Sequence, residues 1–159
     1  MNTDQMIANY SAGPVVLRNA VAGMTREQVR ARPVEGKWST LEVICHLSDF
    51  EPVFLDRMKA VLTSDEPTLF GRDENAFAAK FVYHQRDLDE ELALIQACRA
   101  SMTRILRTLP AADFQRRGIH SEAGPLTLAD FLQKSVNHVA HHVKFIHEKR
   151  AALGLPTAQ

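Results

Sequence analysis

Four histidines lie within ten positions near the end of the sequence, in the segment SVNHVAHHVKFIHEKR, residues 135–150. They are His138, His141, His142 and His147. Imidazole nitrogens bind divalent transition metals, and two imidazoles at positions i and i+4 of a helix can reach one ion. The same spacing fits a charged surface or core histidines that hydrogen-bond to their neighbours. The choice depends on which of these rings face inward.

A helical wheel sorts the four rings. At about 100° per residue, His138 and His142 fall on the apolar stripe that contains Phe131, whereas His141 lies at its margin and His147 faces water. Two adjacent imidazoles in apolar surroundings need partners for both ring nitrogens, and a cation satisfies one nitrogen of each. On these two rings alone, hydrogen-bonded core histidines explain the pattern at least as well as a metal site, and a third inward histidine would favour the metal.

The missing ligand is predicted on another helix. His46 has Val43 and Phe50 as apolar neighbours on its own face, so it too points inward, whereas His84 and His120 fall in predicted loops. Three neutral imidazoles leave a fourth position open for water or substrate, which is typical of catalytic rather than structural sites. The predicted metal ligands are three histidines: His46, His138 and His142.

Asp49 follows His46 by three residues and is the predicted catalytic residue. Its carboxylate could orient a ligand, accept a proton from metal-bound water or pair with His141. An ordinary ion pair with a lysine or arginine at the rim of the fold explains it equally well.

Three other features near these histidines each have two interpretations. Cys45 fits a small buried thiol better than a zinc thiolate. Trp38 precedes a helix start, which indicates a hydrophobic staple first and a pocket wall second. The segment DENAF, residues 73–77, could hang over the metal-bearing end, or it could simply begin a helix with acidic residues.

Capping signals place the elements that carry these residues. Ser39 with Glu42 and Thr127 with Asp130 are capping boxes at the starts of the two histidine-bearing helices, and Gly154 ends the second. The predicted long helices are 3–21, 39–62, 87–108 and 127–153, with a short turn after residue 25 and a short helix at 74–80. Gly13–Pro14 and Pro52 predict a kink or break in the first helix and a bend in the second.

Strand-like alternation is absent, so the sequence predicts an all-α fold. Four long amphipathic helices pack as a four-helix bundle, in which facing helices build metal sites in the core. The expectation is one domain, residues 1–159, with up-down helices and long loops that carry short helices.

The bulk composition limits the partners. Nineteen basic residues balance nineteen acidic ones, which argues against a nucleic-acid partner. No apolar run reaches a membrane-spanning length and the N-terminus lacks signal-peptide features, so we expect a cytoplasmic protein with no membrane partner. The two cysteines are expected to be free thiols. No serine triad, nucleophile elbow or phosphate-binding glycine loop is present, which leaves metal-centred chemistry as the catalytic option.

Three segments together resemble the DinB-like superfamily of metalloenzymes. They are GKWSTLEVICHLSDFE, the later DENAF, and LTLADFLQKSVNHVAHHVKFI. The nearest branch contains bacillithiol S-transferases and proteins described as metal-dependent hydrolases. The resemblance covers residues 7–153 and is most specific in the G-x-W-[ST] entry to a helix with H-L-x-D, and in H-x-x-H-H.

The resemblance implies a four-helix bundle, often dimeric, with a histidine triad that binds zinc or nickel. His46, His138 and His142 match that triad, and His141 matches a histidine that is not a ligand. Phe145 stands where the family often has glutamine or histidine, which implies a more apolar pocket. The expected function is therefore that of a metal-dependent thiol S-transferase or hydrolase that acts on a small molecule. A low-molecular-weight thiol is a candidate co-substrate, and the expected assembly is a homodimer. The alternatives are a non-catalytic, stress-related metal- or ligand-binding bundle and a metal-free, pH-sensitive core.

Overall fold

A computed structural model describes residues 2–156, and the two ends of the predicted domain, residue 1 and residues 157–159, lie outside the described part. The long helices are α1 (Thr3–Val21), α3 (Thr40–Thr63), α5 (Leu88–Leu106) and α6 (Leu128–Ala152). The short helices are α2 (Arg26–Arg30) and α4 (Glu74–Lys80), and single 3-10 turns cover Tyr83–Gln85 and Ala111–Gln115. This is the predicted four-helix bundle, with each helix within two residues of its expected bounds.

Side-chain caps begin the two helices that carry the histidines. The Ser39 hydroxyl accepts a hydrogen bond from the Glu42 amide, and the Glu42 carboxylate accepts one from the Ser39 amide. Thr127 and Asp130 form the same reciprocal pair at the start of α6. Each box satisfies two amides that a helix start otherwise leaves without partners, so the register of both helices is fixed locally.

The long helices form a closed ring in which α1 packs against α5 and α6, and α3 packs against the same two helices. The consecutive helices α1 and α3 therefore occupy opposite corners. Because α3 and α6 are neighbours, side chains more than 90 residues apart meet in the core. Two apolar clusters fill the bundle, one around Met58 and Leu128 and the other around Ile44 and Ile146.

A buried polar group, the arginine layer, takes one residue from each long helix: Tyr10, Glu51, Arg99 and Ser135. Arg99 is 1% exposed and lies 3.0 Å from Glu51, Nη2 to Oε2. Its guanidinium donates to the carbonyl oxygens of Tyr10 and Ser135, and the Tyr10 hydroxyl donates to Glu51. The layer cross-links all four helices through directional bonds.

The kink or break predicted at Gly13–Pro14 does not take the form of a break, because α1 runs through both residues. Pro14 has no amide hydrogen, which leaves the Tyr10 carbonyl without its helical donor. Arg99 Nη1 donates to that carbonyl at 3.1 Å. A Cβ atom on Gly13 would overlap the same guanidinium, so glycine makes room for it. α3 likewise continues through Pro52.

A small sheet is the element that the sequence did not predict. Strand β1 (Thr68–Leu69) pairs in parallel with β2 (Arg117–His120), which pairs antiparallel with β3 (Gly124–Thr127). Strands of two to four residues are too short to show an alternating pattern, so the absence of alternation did not exclude them. The sheet precedes α6 directly and places His120 beside the bundle.

The outer surface of the bundle is mostly polar, with some exposed apolar side chains on α1. Val15 is 61% exposed and Val16 is 42% exposed. Within residues 2–156, no helix combines the length and the apolar character that a membrane span requires.

Candidate metal centre

Three histidines from α3 and α6 converge inside the bundle and form what we call the histidine cluster: His46, His138 and His142. One ligating atom from each ring lies within 4.8 Å of the others. The Nε2 atoms of His46 and His138 are 2.9 Å apart, across 92 positions of sequence. The ring centroids are separated by 4.6 to 4.9 Å. The structure thus brings together the three predicted ligands.

Burial keeps these three imidazoles neutral. Loss of hydration lowers the pKa of His46 to about 4, and that of His138 and His142 to about 3. The neighbouring imidazoles lower the pKa of His138 and His142 further, since a second positive charge would repel the first. At neutral pH the cluster therefore offers unprotonated nitrogens, the form that binds metals.

The residues fit a divalent cation. Two nitrogens on one tetrahedral zinc ion lie about 3.4 Å apart, and the ligating atoms of the cluster lie within 4.8 Å of one another. Nδ1 of His46 and Nδ1 of His142 are buried and have no hydrogen-bond partner among the described residues. A cation bound by three nitrogens would leave a fourth position open.

Aromatic side chains wall the cluster. The rings of Trp38 and Phe50 lie 5.3 Å and 4.8 Å from that of His46, and Phe54 lies 5.6 Å from His138. Trp38 also packs against the apolar core cluster that contains Val43, the position that a hydrophobic staple at this helix start would use. Both interpretations of Trp38 therefore hold, because the residue that anchors the start of α3 is also a wall of the site.

Helix α4 brings an acidic residue to the cluster. Asp73 caps the helix by accepting from the amides of Asn75 and Ala76. Glu74 follows, and its Oε2 lies 3.9 Å from His46 Nε2 while 57% of its side chain stays exposed. The DENAF segment thus begins a helix and also places the Glu74 carboxylate beside the histidine cluster. Sequence reasoning named the segment but did not select Glu74.

Asp49 is turned toward α5. Its Oδ1 accepts a hydrogen bond from Arg86 Nη1 at 2.8 Å, and Arg86 also pairs with Glu91. This is the arginine ion pair that the sequence left as an alternative, and the predicted pairing with His141 does not form. The Tyr83 hydroxyl lies beside Asp49, which contributes with burial to a raised pKa of Tyr83.

The remaining candidates lie around the cluster without belonging to it. Cys45 is fully buried, its thiol donates to the Tyr83 carbonyl, and burial raises its pKa to about 12. His141 is exposed and its ring lies 4.7 Å from Phe145. His147 was expected to face water but is half-buried. A helical wheel orders the faces of a helix but does not show how far neighbouring segments cover each one.

Two clefts meet at the histidine cluster. The first cleft, of about 590 Å³, is lined by the apolar side chains of Phe50, Phe54, Leu126 and Phe131 and by the charged side chains of Arg57, Glu122 and Lys134. The second cleft, of about 270 Å³, lies against Trp38, His142 and Phe145. Glu74 and His141 line both clefts, so they stand at the boundary between them.

A model of the DinB superfamily matches residues 10–146 of the chain. The chain belongs to the DinB superfamily. A superfamily relative in Bacillus subtilis strain 168, named "Putative metal-dependent hydrolase YfiT", is 30% identical over 152 residues, which cover 95% of this chain and 85% of the relative. In Oceanobacillus iheyensis, "Putative metal-dependent hydrolase OB0782" is 28% identical over 133 residues, which cover 84% of this chain and 77% of the relative.

Structural comparison agrees with this DinB assignment. The structure of YfiT from Bacillus subtilis, described as a probable metal-dependent hydrolase with an unusual four-helix bundle topology, superposes with a TM-score of 0.90. The match covers 97% of this chain and 89% of YfiT at 30% identity. A mycothiol-dependent maleylpyruvate isomerase shares the fold at a TM-score of 0.72 and 12% identity, over 91% of this chain and 60% of the isomerase.

Proposed function

We propose that this chain is a metal-dependent enzyme, a hydrolase or thiol S-transferase, that binds one divalent cation through His46, His138 and His142. The observation that carries the proposal is the convergence of three neutral imidazoles, one ligating nitrogen of each lying within 4.8 Å of the others. Zinc or nickel suits such a ligand set. When bound, a cation of this kind lowers the pKa of a water or thiol and so supplies a nucleophile near neutral pH.

The chain's own residues supply binding and proton transfer. The apolar walls of the first cleft, Phe50 and Phe54 among them, bind the body of a small substrate and exclude water from the reacting group. Glu74 is the proton acceptor. Its Oε2 lies 3.9 Å from Nε2 of His46, and its carboxylate forms no ion pair with a lysine or arginine in residues 2–156. Asp49, already held by Arg86, positions the start of α5 instead.

Two observations bear on the kind of reaction. The names of the superfamily relatives favour hydrolysis, in which water is the nucleophile. The second cleft favours thiol transfer, because it gives another small molecule access to His142 from the other side of Glu74. A low-molecular-weight thiol would fit there as co-substrate.

The assembly and the surroundings of the protein remain predictions from sequence. They are a homodimer, a cytoplasmic location, and no nucleic-acid or membrane partner. The exposed Val15 and Val16 on α1 support the first of these, since they offer an apolar face to a second copy.

The metal assignment is tested by replacing neighbouring histidines. We expect purified wild-type protein to hold one equivalent of zinc or nickel by plasma emission spectroscopy, and His142→Ala to hold none. His141→Ala is the matched control, because this exposed ring is adjacent in sequence and outside the cluster. Unchanged metal content in His142→Ala would mean that the triad is wrong.

The catalytic assignment is tested with the metal-loaded and chelated protein. Ester hydrolysis and conjugation of small thiols to epoxides are measured side by side. We expect turnover only with metal, and a loss of about 10²- to 10⁴-fold in Glu74→Gln without loss of metal. No turnover in either assay, together with a large fall in melting temperature on chelation, would favour the non-catalytic bundle.

A further inference from the structure

Lys149, in the last turn of α6, is buried without a counter-ion. Lys149 is 3% exposed. Among residues 2–156, its Nζ donates a hydrogen bond to the Phe145 carbonyl at 3.1 Å and lies 5.7 Å from the centroid of the Phe145 ring. No carboxylate in residues 2–156 lies within 4.0 Å of Nζ. A buried ammonium group normally has a charged or fully hydrogen-bonded environment, because removing it from water is costly.

The nearby charges do not supply the missing partner. Glu42 is already engaged by Arg32 and by the Ser39 amide. Glu148 is exposed to solvent. Burial lowers the pKa of Lys149, and the positive charge of Lys37 lowers it further.

Lys149 forms part of the wall of the second cleft, together with His142, Trp38, Phe145 and Lys37. Two glutamates, Glu74 and Glu148, line the same cleft, so its formal charges balance, and Lys149 is set apart from the other three charged residues by its burial. A cation that only stabilised the end of α6 would extend its ammonium group into water. The burial of this lysine beside a cleft, with donor capacity to spare, instead indicates an anionic ligand.

The distance between Lys149 and the histidine cluster sets the size of that ligand. The lysine side chain folds back one turn to Phe145, which is three residues from His142. Three residues of α-helix span about 4.5 Å. His142 and Lys149 line the same cleft of about 270 Å³, so a small ligand that contacts both has its anionic group a few covalent bonds from the group presented to the cluster. The planar, two-oxygen geometry of a carboxylate suits the remaining donors of an ammonium group.

We infer that Lys149 is a carboxylate-binding residue of the second cleft, and that the reactant entering there carries a carboxylate a few bonds from the group it presents to the histidine cluster. This inference rests on the proposed function for the role of that second group. The carboxylate contact itself does not require the metal.

The single tryptophan of the chain reports occupancy of this cleft, because Trp38 lies in its wall. The probes are 4-mercaptobutyrate and its neutral amide, 4-mercaptobutyramide, titrated while tryptophan emission is recorded. We expect the wild-type protein to bind the carboxylate at least tenfold more tightly than the amide. Equal affinities would overturn the inference, and this comparison needs no variant to fold.

Lys149→Met keeps the length of the side chain and removes its charge. We expect this variant, checked for folding by circular dichroism, to bind 4-mercaptobutyrate at least tenfold more weakly and the amide as before. Lys144→Met is the matched control, since Lys144 is exposed on the same helix, and we expect it to bind both probes like the wild type. Undiminished carboxylate binding in Lys149→Met would contradict the assignment.

Titration of chelated protein separates this inference from the proposed function. If the histidine cluster bound no metal, the preference for carboxylate over amide would persist in wild-type protein and vanish in Lys149→Met. If instead Lys149 played no part, metal content would still depend on His142 while the two probes bound alike.

Discussion

The arginine layer and the histidine cluster are both buried polar groups, built one helical turn apart on α6 from side chains of facing helices. In the arginine layer, the Glu51 carboxylate, the Tyr10 and Ser135 hydroxyls and both terminal nitrogens of the Arg99 guanidinium have partners. Of the buried polar side-chain atoms in this layer, Arg99 Nε has no partner among residues 2–156. In the histidine cluster, two of three rings have an unpaired buried nitrogen. The arginine layer thus leaves one of its polar side-chain atoms unpaired, whereas the histidine cluster leaves a nitrogen unpaired on two of its three rings.

This difference distinguishes a buried polar group that stabilises the fold from one that can bind a ligand, within the same core. A satisfied buried network holds the helices in register, whereas an unsatisfied one retains binding capacity at a cost in stability. The two groups should therefore respond in opposite ways to the loss of a member.

The largest effect is expected in the arginine layer. Arg99→Met leaves the Glu51 carboxylate buried without its cation, and removing one partner of a buried ion pair costs about 3–5 kcal/mol of unfolding free energy. Urea unfolding followed by circular dichroism measures this loss.

The matched control is the double variant Arg99→Met with Glu51→Leu, which removes both charges. We expect it to recover most of the lost stability, since no isolated charge remains. A single variant as stable as the wild type would show that the layer does not hold the helices together.

An intermediate effect is expected from acid on metal-free protein. An unfolded histidine binds a proton below pH 6.5, whereas the folded cluster stays neutral down to pH values near 4. The unfolded state therefore binds more protons, and unfolding free energy falls with decreasing pH by up to about 1.4 kcal/mol per pH unit for each such histidine. Urea unfolding between pH 6.5 and 4.5, with chelator present, measures the slope.

Two variants sharpen the acid experiment. His142→Leu should reduce the slope, because one buried imidazole is gone, while His84→Gln should not, because His84 is exposed and outside the cluster. A flat profile in the wild type over this range would contradict neutral, buried imidazoles.

The smallest effect is expected from His142→Leu at neutral pH without metal. Leucine keeps apolar volume and removes a buried unpaired nitrogen, so unfolding free energy should stay constant or rise by about 1 kcal/mol. The same variant should lose the rise in melting temperature that zinc or nickel gives the wild type. If His142→Leu lost about 3–5 kcal/mol of unfolding free energy, as expected for Arg99→Met, the histidine cluster would stabilise the fold in the same way as the arginine layer.

The sequence predicted the helices well because their signals are local. Capping boxes such as Ser39 with Glu42 act within one turn, and apolar spacing orients each helix relative to its own axis. That was sufficient to select His46, His138 and His142 as inward-facing. It was insufficient at Gly13–Pro14, where the proline frees the Tyr10 carbonyl to accept a hydrogen bond from a guanidinium 89 positions later.

The sequence by itself thus determined where the long helices begin and end and which histidines face the core. Only the tertiary structure decided that Arg86 binds Asp49, that Glu74 reaches the cluster and that Lys149 lies buried beside it. The physical reason is range: capping and periodicity act over three or four residues, whereas each of these contacts depends on how separate helices pack.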